Sequence, residues 1–170
     1  MSEWWKDLFT VLKEADVRQV GYVPDAGHSK LIKACIEENE IDATVLTTEE
    51  EGVALGAGAW LGGDRAALLM QSSGVGNCIN MLSMNASCRM PLLMLVTMRG
   101  QWGEFNPWQV PMGQAIPEIL RQAGVLVYEV DQADEVGPTA AQAARLTYNS
   151  QKPVAVLLSQ RLVGSKSFGK

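Results

Sequence analysis

The sequence predicts an α/β fold of three layers, with a six-stranded parallel sheet between two layers of helices. Short apolar runs alternate with helical patterns along the chain, which is typical of parallel strands joined by crossover helices. Runs such as LLMLV and VAVLL show no alternation of polar and apolar residues, as expected for strands that helices cover on both faces. The length of 170 residues is typical of one domain, and we expect residues 1–170 to form it.

The six strands are predicted from apolar runs that end at turn residues or at the start of a helical pattern. The first run stops at Pro24, the third stops before a Ser-Ser-Gly sequence, and the fifth follows Gly124. The expected strands are Gln19–Val23, Ala43–Leu46, Ala66–Met70, Leu92–Thr97, Val125–Val130 and Val154–Leu158.

Helices are predicted where apolar residues recur at spacings of three and four. The expected helices are Glu3–Ala15, Ser29–Glu38, Glu49–Leu61, Val75–Ser87, Gly113–Gln122 and Asp134–Tyr148. The stretch RGQWGEFNPWQVPM, from Arg99 to Met112, has two tryptophans, two prolines and little periodicity, so we expect a long loop there. Long loops in compact domains frequently carry function.

Composition argues against several classes of function. The net charge of -5 gives no electrostatic reason to expect a nucleic-acid partner. The three cysteines form no CxxC pair and His28 is the single histidine, so we expect no metal site in this chain. The longest apolar run is far shorter than the roughly 20 residues that span a bilayer, and the N-terminus has the period of an amphipathic helix. We therefore expect a cytoplasmic protein with no membrane partner.

The segment TTEEEGVALGAGAW places three carboxylates, Glu49, Glu50 and Glu51, at the start of a helix of very small residues. Carboxylates are favoured in a first helical turn by about 0.3–1 kcal/mol each, so a solvated helix start explains them. The glycines that follow each cost about 1 kcal/mol of helix propensity. We expect such a helix to pack closely against another helix or against a second subunit.

The segment QSSGVGN follows a buried strand and opens a helical pattern. Neither it nor GAGAW completes the G-x-G-x-x-G fingerprint, and no G-x-x-x-x-G-K-[ST] motif occurs. Gly74 and Gly76 permit close approach of a backbone, and free amides at a helix start can hold a polar ligand. A tight strand-to-helix turn is the other interpretation, and the residues alone leave both open.

Taken in order, these segments resemble the pyrimidine-binding (PYR) domain of thiamine diphosphate enzymes. In that family a glutamate heads a small-residue helix, and a Ser/Thr-Gly-x-Gly-x-x-Asn loop follows the next strand. Within the family, VPDAGHSKLI, EEEGVALGAGAWLGG, LMQSSGVGN and QVPMGQA look similar to the alpha subunit of sulfopyruvate decarboxylase and to the N-terminal part of phosphonopyruvate decarboxylase. The resemblance covers most of the chain.

The resemblance implies a binding site for thiamine diphosphate. The glutamate that activates the cofactor matches Glu50, and Glu51 is the alternative because three glutamates stand in a row. The cofactor-binding residues that the resemblance implies are Glu50, Ser73, Gly74, Val75, Gly76 and Asn77. In this family the acid shares a proton with the aminopyrimidine of the cofactor, and the thiazolium ring takes up electrons as carbon dioxide leaves a 2-oxo acid.

The resemblance also implies a substrate side of the site. Asp25 matches an aspartate of the phosphonopyruvate enzymes and follows the first strand, and His28 stands three residues later. We expect both to be catalytic; an ordinary turn residue and a surface loop histidine are the alternatives. The substrate or interface loop that the resemblance implies contains Gln109, Met112, Gly113 and Gln114.

A missing motif completes the prediction. Members of the family hold the cofactor's diphosphate through magnesium with a Gly-Asp-Gly motif, which does not occur here. The resemblance therefore implies the alpha subunit of a split 2-oxo acid decarboxylase, most similar to those that act on sulfopyruvate, whose beta partner carries the motif and the Mg²⁺. We expect a homo- or hetero-oligomer with the cofactor between subunits. Cations for a small anionic substrate could come from Arg99, Arg89 or Lys30.

Two alternatives to this function stay open. Within the class, the chain could belong to a split phosphonopyruvate decarboxylase or to another thiamine diphosphate lyase. From a different class, it could be a non-catalytic flavodoxin-like binding or scaffold module whose glutamates only start a helix.

Overall fold

A computed structural model describes residues 3–165 of the chain. Its six strands are β1 (Val17–Tyr22), β2 (Asp42–Val45), β3 (Arg65–Gln71), β4 (Leu92–Thr97), β5 (Leu126–Val130) and β6 (Pro153–Leu158). They form one parallel sheet in the order β2-β1-β3-β4-β6-β5. The predicted fold class and the six predicted strands are confirmed, with small shifts at strand ends.

The described helices are α1 (Trp4–Glu14), α2 (Ser29–Glu37), α3 (Glu49–Gly62), α4 (Ser72–Cys78), α5 (Leu82–Cys88), α6 (Gln109–Gln122), α7 (Val136–Ser150) and α8 (Gln160–Val163), with a 3₁₀ turn at Ala133–Glu135. Within residues 3–165, no helix has the length and apolar character that crossing a membrane requires.

Two hydrophobic clusters lie on opposite faces of the sheet. Successive side chains of a strand point to opposite faces, so Leu69 of β3 packs with α1, α2 and α7, whereas its neighbour Leu68 packs with α3, α4, α5 and α6. Both leucines are fully buried. Each such side chain contributes about 1.5–3 kcal/mol to folding, so the sheet is held from both sides, as its unbroken apolar strands predicted.

Two predicted helices differ from the structure. The expected helix Val75–Ser87 is two helices, α4 and α5, and α4 begins at Ser72, so Gly74 to Asn77 lie in a helix rather than in a loop. The main-chain carbonyl of Asn80 accepts bonds from the backbone N–H and the hydroxyl of Ser83, which starts the second helix. Helix α6 begins at Gln109 instead of Gly113, because a proline such as Pro111 is tolerated in the first turn.

The small residues of α3 serve two different faces. A methyl group on Gly52 would overlap the Leu68 side chain, and one on Gly56 would lie 2.7 Å from Leu92 Cδ1, so these glycines let the helix rest directly on the sheet. Ala54 and Gly58 are exposed, and a methyl group on Gly58 would meet no atom within 4 Å. The inner face is thus explained by packing within the chain, while the outer face is open.

Candidate active site

Polar side chains from three neighbouring strands meet at the carboxyl edge of the sheet. The Asp25 carboxylate, just after β1, accepts bonds from Thr97 Oγ1 at 2.7 Å, from Gln71 Nε2 at 3.1 Å and from the Gly27 N–H at 3.0 Å. Gln71 ends β3 and Thr97 ends β4. Because β1, β3 and β4 are adjacent and parallel, their carboxyl ends bring these groups together.

The environment of Asp25 favours its ionised form. Burial alone would raise the pKa of this carboxyl, but the bonds from Thr97, Gln71 and Gly27 and the nearby His28 more than offset that effect, so its pKa is lowered. Asp25 is therefore an anion at neutral pH, placed where ligands bind in open parallel sheets.

His28 is fully buried, so it is not a surface loop histidine. Its Nε2 atom lies 3.0 Å from the Leu95 carbonyl oxygen, to which its N–H donates, and its Nδ1 atom has no hydrogen-bond partner within residues 3–165. Burial lowers the pKa of the imidazole, although Asp25 acts in the opposite direction. A neutral His28 behind Asp25 ties the turn after β1 to β4.

The three consecutive glutamates have three different environments. Glu49 is only 8% exposed and accepts a bond from Asn77 Nδ2 at 2.8 Å. Glu51 is exposed and accepts the backbone N–H of Thr47 at 2.7 Å, which closes the start of α3. Glu50 is exposed and makes no hydrogen bond or ion pair with any described residue. Of the three glutamates, only Glu50 therefore presents a carboxyl group without a partner among residues 3–165.

Helix α4 packs beside these glutamates. The Cys78 thiol has a pKa raised to about 12, first by burial and then by the charges of Glu49 and Glu50. A methyl group on Gly74 would overlap the Glu49 carboxyl group, so the glycine gives that side chain its room. Sequence reasoning missed the buried position of Glu49. In the sequence it looks like Glu50 and Glu51, and only its burial against Gly74 and Asn77 distinguishes it from them.

The other predicted residues of α4 point in different directions. Val75 is fully buried in the core, whereas Ser73 and Gly76 are half-buried and Asn77 is exposed. Ser73 Oγ donates to Gln71 Oε1 at 3.0 Å, which joins the start of α4 to the Asp25 cluster. The exposed side of α4 is thus formed by Ser73, Gly76 and Asn77.

The predicted loop residues Gln109, Met112, Gly113 and Gln114 lie in the first turns of α6. A methyl group on Gly113 would overlap the Arg99 carbonyl, and Gln114 Nε2 donates to the Gly100 carbonyl at 2.7 Å. The Met112 methyl would lie 3.1 Å from a methyl group on Gly76, so α6 contacts α4. These residues fasten α6 to the turn after β4 and to α4.

Comparison with known proteins identifies the family. A model of the family described as "thiamine pyrophosphate enzyme, N-terminal TPP binding domain" matches residues 5–104. The chain belongs to this family. Thiamine pyrophosphate is the cofactor also called thiamine diphosphate, and the match spans α1 to Glu104, including α3 and α4. The resemblance seen in the sequence is confirmed.

Relatives of this thiamine diphosphate enzyme domain include decarboxylase subunits. Sulfopyruvate decarboxylase subunit alpha of Methanococcus maripaludis is 32% identical over 152 residues, which cover 89% of this chain and 91% of the relative. The Methanocaldococcus jannaschii subunit alpha is 32% identical over 151 residues, 88% of this chain and 89% of the relative. Phosphonopyruvate decarboxylase of Streptomyces viridochromogenes is 30% identical over 163 residues, 94% of this chain and 41% of that protein.

A solved structure supports the fold of the domain. The 2-oxoglutarate:ferredoxin oxidoreductase from Magnetococcus marinus superposes with a TM-score of 0.78 over 96% of this chain and 29% of that chain. Sequence identity is 17%, so this likeness concerns the fold alone.

One of the candidate cations in this thiamine diphosphate enzyme domain is already paired. Arg99 is 9% exposed, and its guanidinium donates to both carboxylate oxygens of Glu104, at 2.5 and 2.7 Å. Gln160 Nε2 also donates to Glu104, and Gln160 Oε1 accepts the backbone N–H groups of Gln101 and Trp102. Sequence reasoning did not find Gln160, which holds the turn after β4 from 59 residues away in the chain.

Among residues 3–165, no group of three or more His, Cys, Asp and Glu side chains could hold a metal ion. The carboxylates are dispersed in separate hydrogen-bonded arrangements, such as those of Asp25, Glu49 and Glu104.

Proposed function

We propose that the chain is the alpha subunit of a thiamine diphosphate-dependent decarboxylase that converts sulfopyruvate to sulfoacetaldehyde and carbon dioxide. The observation that carries the proposal is the near-complete match to sulfopyruvate decarboxylase alpha subunits, which covers 89% of this chain and 91% of one relative. A match over most of both chains supports the same division of the enzyme into subunits.

The residues of the chain suit the aminopyrimidine half of the cofactor. Glu50 offers a carboxyl group that has no partner among residues 3–165, at the start of α3, and α3 packs against α4, whose exposed side is formed by Ser73, Gly76 and Asn77. When bound, thiamine diphosphate supplies the electron sink for loss of carbon dioxide from a 2-oxo acid. The proposed role of Glu50 is to hold a proton at the N1′ atom of the aminopyrimidine. Gly74 leaves room for the Glu49 side chain, and the buried Val75 packs α4 into the core.

The chain supplies half of the proposed site. Glu50, Ala54 and Gly58 are four residues apart, so they share one face of α3, and all three are exposed. We assign this face to a beta subunit that carries a Gly-Asp-Gly motif and holds the diphosphate and Mg²⁺. Trp108, 84% exposed at the start of α6, is a second candidate contact, because large aromatic side chains dominate interfaces.

The substrate side consists of Asp25 with His28 behind it. Arg99 is neutralised by Glu104, and Arg89 lies before β4, at the amino edge of the sheet. Lys30 is exposed in the first turn of α2, at the same edge as Asp25. Of the three candidate cations, Lys30 is therefore our choice for the sulfonate group of the substrate, together with groups from the partner.

The proposal is tested by reconstitution. The chain is mixed with a beta-type subunit that carries Gly-Asp-Gly, with thiamine diphosphate and Mg²⁺, and carbon dioxide release is followed from sulfopyruvate, phosphonopyruvate and pyruvate. We expect turnover that needs both subunits, with the highest kcat/KM for sulfopyruvate. Preference for phosphonopyruvate would move the chain to the other decarboxylase class, which the 30% identity to the Streptomyces enzyme makes the second candidate. Absence of turnover with every acid would overturn the decarboxylase function.

A further inference from the structure

We infer that Thr97 and Gln71 are positioning residues, which fix the Asp25 carboxylate in one orientation and leave it a single open acceptor position for a ligand hydroxyl or a water. The inference deepens the proposed function, because it rests on Asp25 belonging to the substrate site.

The count of hydrogen bonds leads to this inference. An ionised carboxylate has about four acceptor positions, two on each oxygen. Thr97 Oγ1 and the Gly27 N–H occupy both positions on Oδ2, at 2.7 and 3.0 Å. Gln71 Nε2 occupies one position on Oδ1, at 3.1 Å. One position on Oδ1 is left, so a ligand or water can reach Asp25 from one direction only.

Gln71 is itself held in a defined orientation. Because the ionised Asp25 carboxylate can only accept, the amide nitrogen of Gln71 must face it, and Gln71 Oε1 is then the atom that accepts the Ser73 hydroxyl at 3.0 Å. Ser73 lies in the first turn of α4, on the proposed cofactor side. The chain of bonds from Ser73 through Gln71 to Asp25 therefore couples the position of the carboxylate to the start of α4.

The turn that carries Asp25 is closely packed on β4. A methyl group on Gly27 would lie 2.8 Å from Thr97 Cγ2, 2.9 Å from Asp25 Oδ2 and 3.0 Å from Val163 Cγ1. The buried His28 then bonds to the Leu95 carbonyl of the same strand. With both ends of the turn fastened to β4, Asp25 has little freedom to choose other partners.

The pKa of Asp25 depends on the charged groups and the hydrogen bonds around it. His28 and Arg99 are the titratable groups that face it: His28 would lower the pKa of Asp25 only when protonated, and Arg99 is paired with Glu104. Among the hydrogen bonds that lower the pKa of Asp25, the one from Thr97 has the largest effect. Loss of the Thr97 hydroxyl should therefore raise the pKa of Asp25, whereas a Thr97 side chain that only fills space would leave this pKa unchanged when it is replaced by valine.

The test compares Thr97→Val, which removes the hydroxyl and keeps the shape, with Thr97→Ser, which keeps the hydroxyl. The Asp25 carboxyl is titrated by NMR in the full chain, and kcat/KM for sulfopyruvate is measured against pH in the reconstituted enzyme. We expect Thr97→Val to move the Asp25 titration and the acid limb of kcat/KM upward, and to lower kcat/KM by about tenfold, the size of one lost bond to a charged group. Thr97→Ser should titrate as wild type.

An unchanged Asp25 titration in a folded Thr97→Val chain would overturn the inference. If that variant does not fold, Gln71→Met tests the bond to the other oxygen with the same titration and the same expected direction. The titration needs neither partner nor turnover, so it separates failure of this inference from failure of the proposed function.

Discussion

At the scale of single residues, Glu49, Glu50 and Glu51 are chemically identical but have different surroundings. Glu49 is held by Asn77, Glu51 closes the helix start at Thr47, and Glu50 has no partner among the described residues. The family pattern predicted that one of the three is special, but not what the other two do. Those roles depend on side chains that lie close only after folding.

Replacing Glu50 by Gln tests the role assigned to it. We expect kcat of the reconstituted enzyme to fall by about 100-fold or more, because proton transfer by a positioned side chain contributes 10²–10⁴-fold. Assembly, measured by analytical ultracentrifugation, should not change, since glutamine keeps the size of the side chain and the substitution removes no hydrogen bond to residues 3–165.

Glu51→Gln is the matched control for that variant. It alters a cap at Thr47 and should keep near-wild-type turnover, with a stability loss of about 0.5–2 kcal/mol at most. Full activity in Glu50→Gln combined with a loss in Glu51→Gln would transfer the role to Glu51.

At the scale of elements, the contact between α3 and α4 depends on one missing side chain. Gly74→Ala should lower the free energy of unfolding by about 1–3 kcal/mol, because the new methyl group would overlap the Glu49 carboxyl group. Urea denaturation of the chain measures this effect. In a Glu49→Ala background the same substitution should cost clearly less, and equal costs in the two backgrounds would show that the overlap is not the cause.

The turn after β4 should make the free energy of unfolding depend on pH in the acid range. The bonds from Arg99 outweigh the effect of burial and hold the pKa of Glu104 at about 2. Because this pKa is below the ordinary value of 4.5, the stabilisation is fully present above pH 4.5 and is lost as pH falls toward 2. Unfolding of the wild-type chain followed against pH should show this loss, and Glu104→Gln should be less stable at neutral pH with a shallower acid dependence. Parallel curves would contradict the assignment.

At the scale of the whole molecule, the outer face of α3 predicts a subunit contact. Gly58→Phe should weaken association with the beta subunit by about tenfold or more, while the chain itself stays folded because the position is open. Gly58→Ala is the control: it should stabilise the chain by about 1 kcal/mol through helix propensity and keep the affinity. Calorimetric titration measures both variants, and wild-type affinity for Gly58→Phe would exclude this face.

The fold was largely predictable and the site only partly so. Strands such as β4 and β6 are recognisable as unbroken apolar runs, because a strand that is buried on both faces carries apolar residues at successive positions. The break between α4 and α5 was missed, since glycines suggested a loop where a helix already begins. The bond from Thr97 to Asp25 joins residues 72 apart and depends on strand order, which local patterns do not contain.

The network of Arg99, Glu104 and Gln160 has a consequence for how the chain meets its partner. It folds the turn from Gly100 to Asn106 using bonds within the chain alone. A preorganised segment loses little conformational entropy when two proteins dock. The affinity between the subunits should then change with temperature as expected from the apolar area that docking buries. Coupled folding of this turn should add nothing to that change.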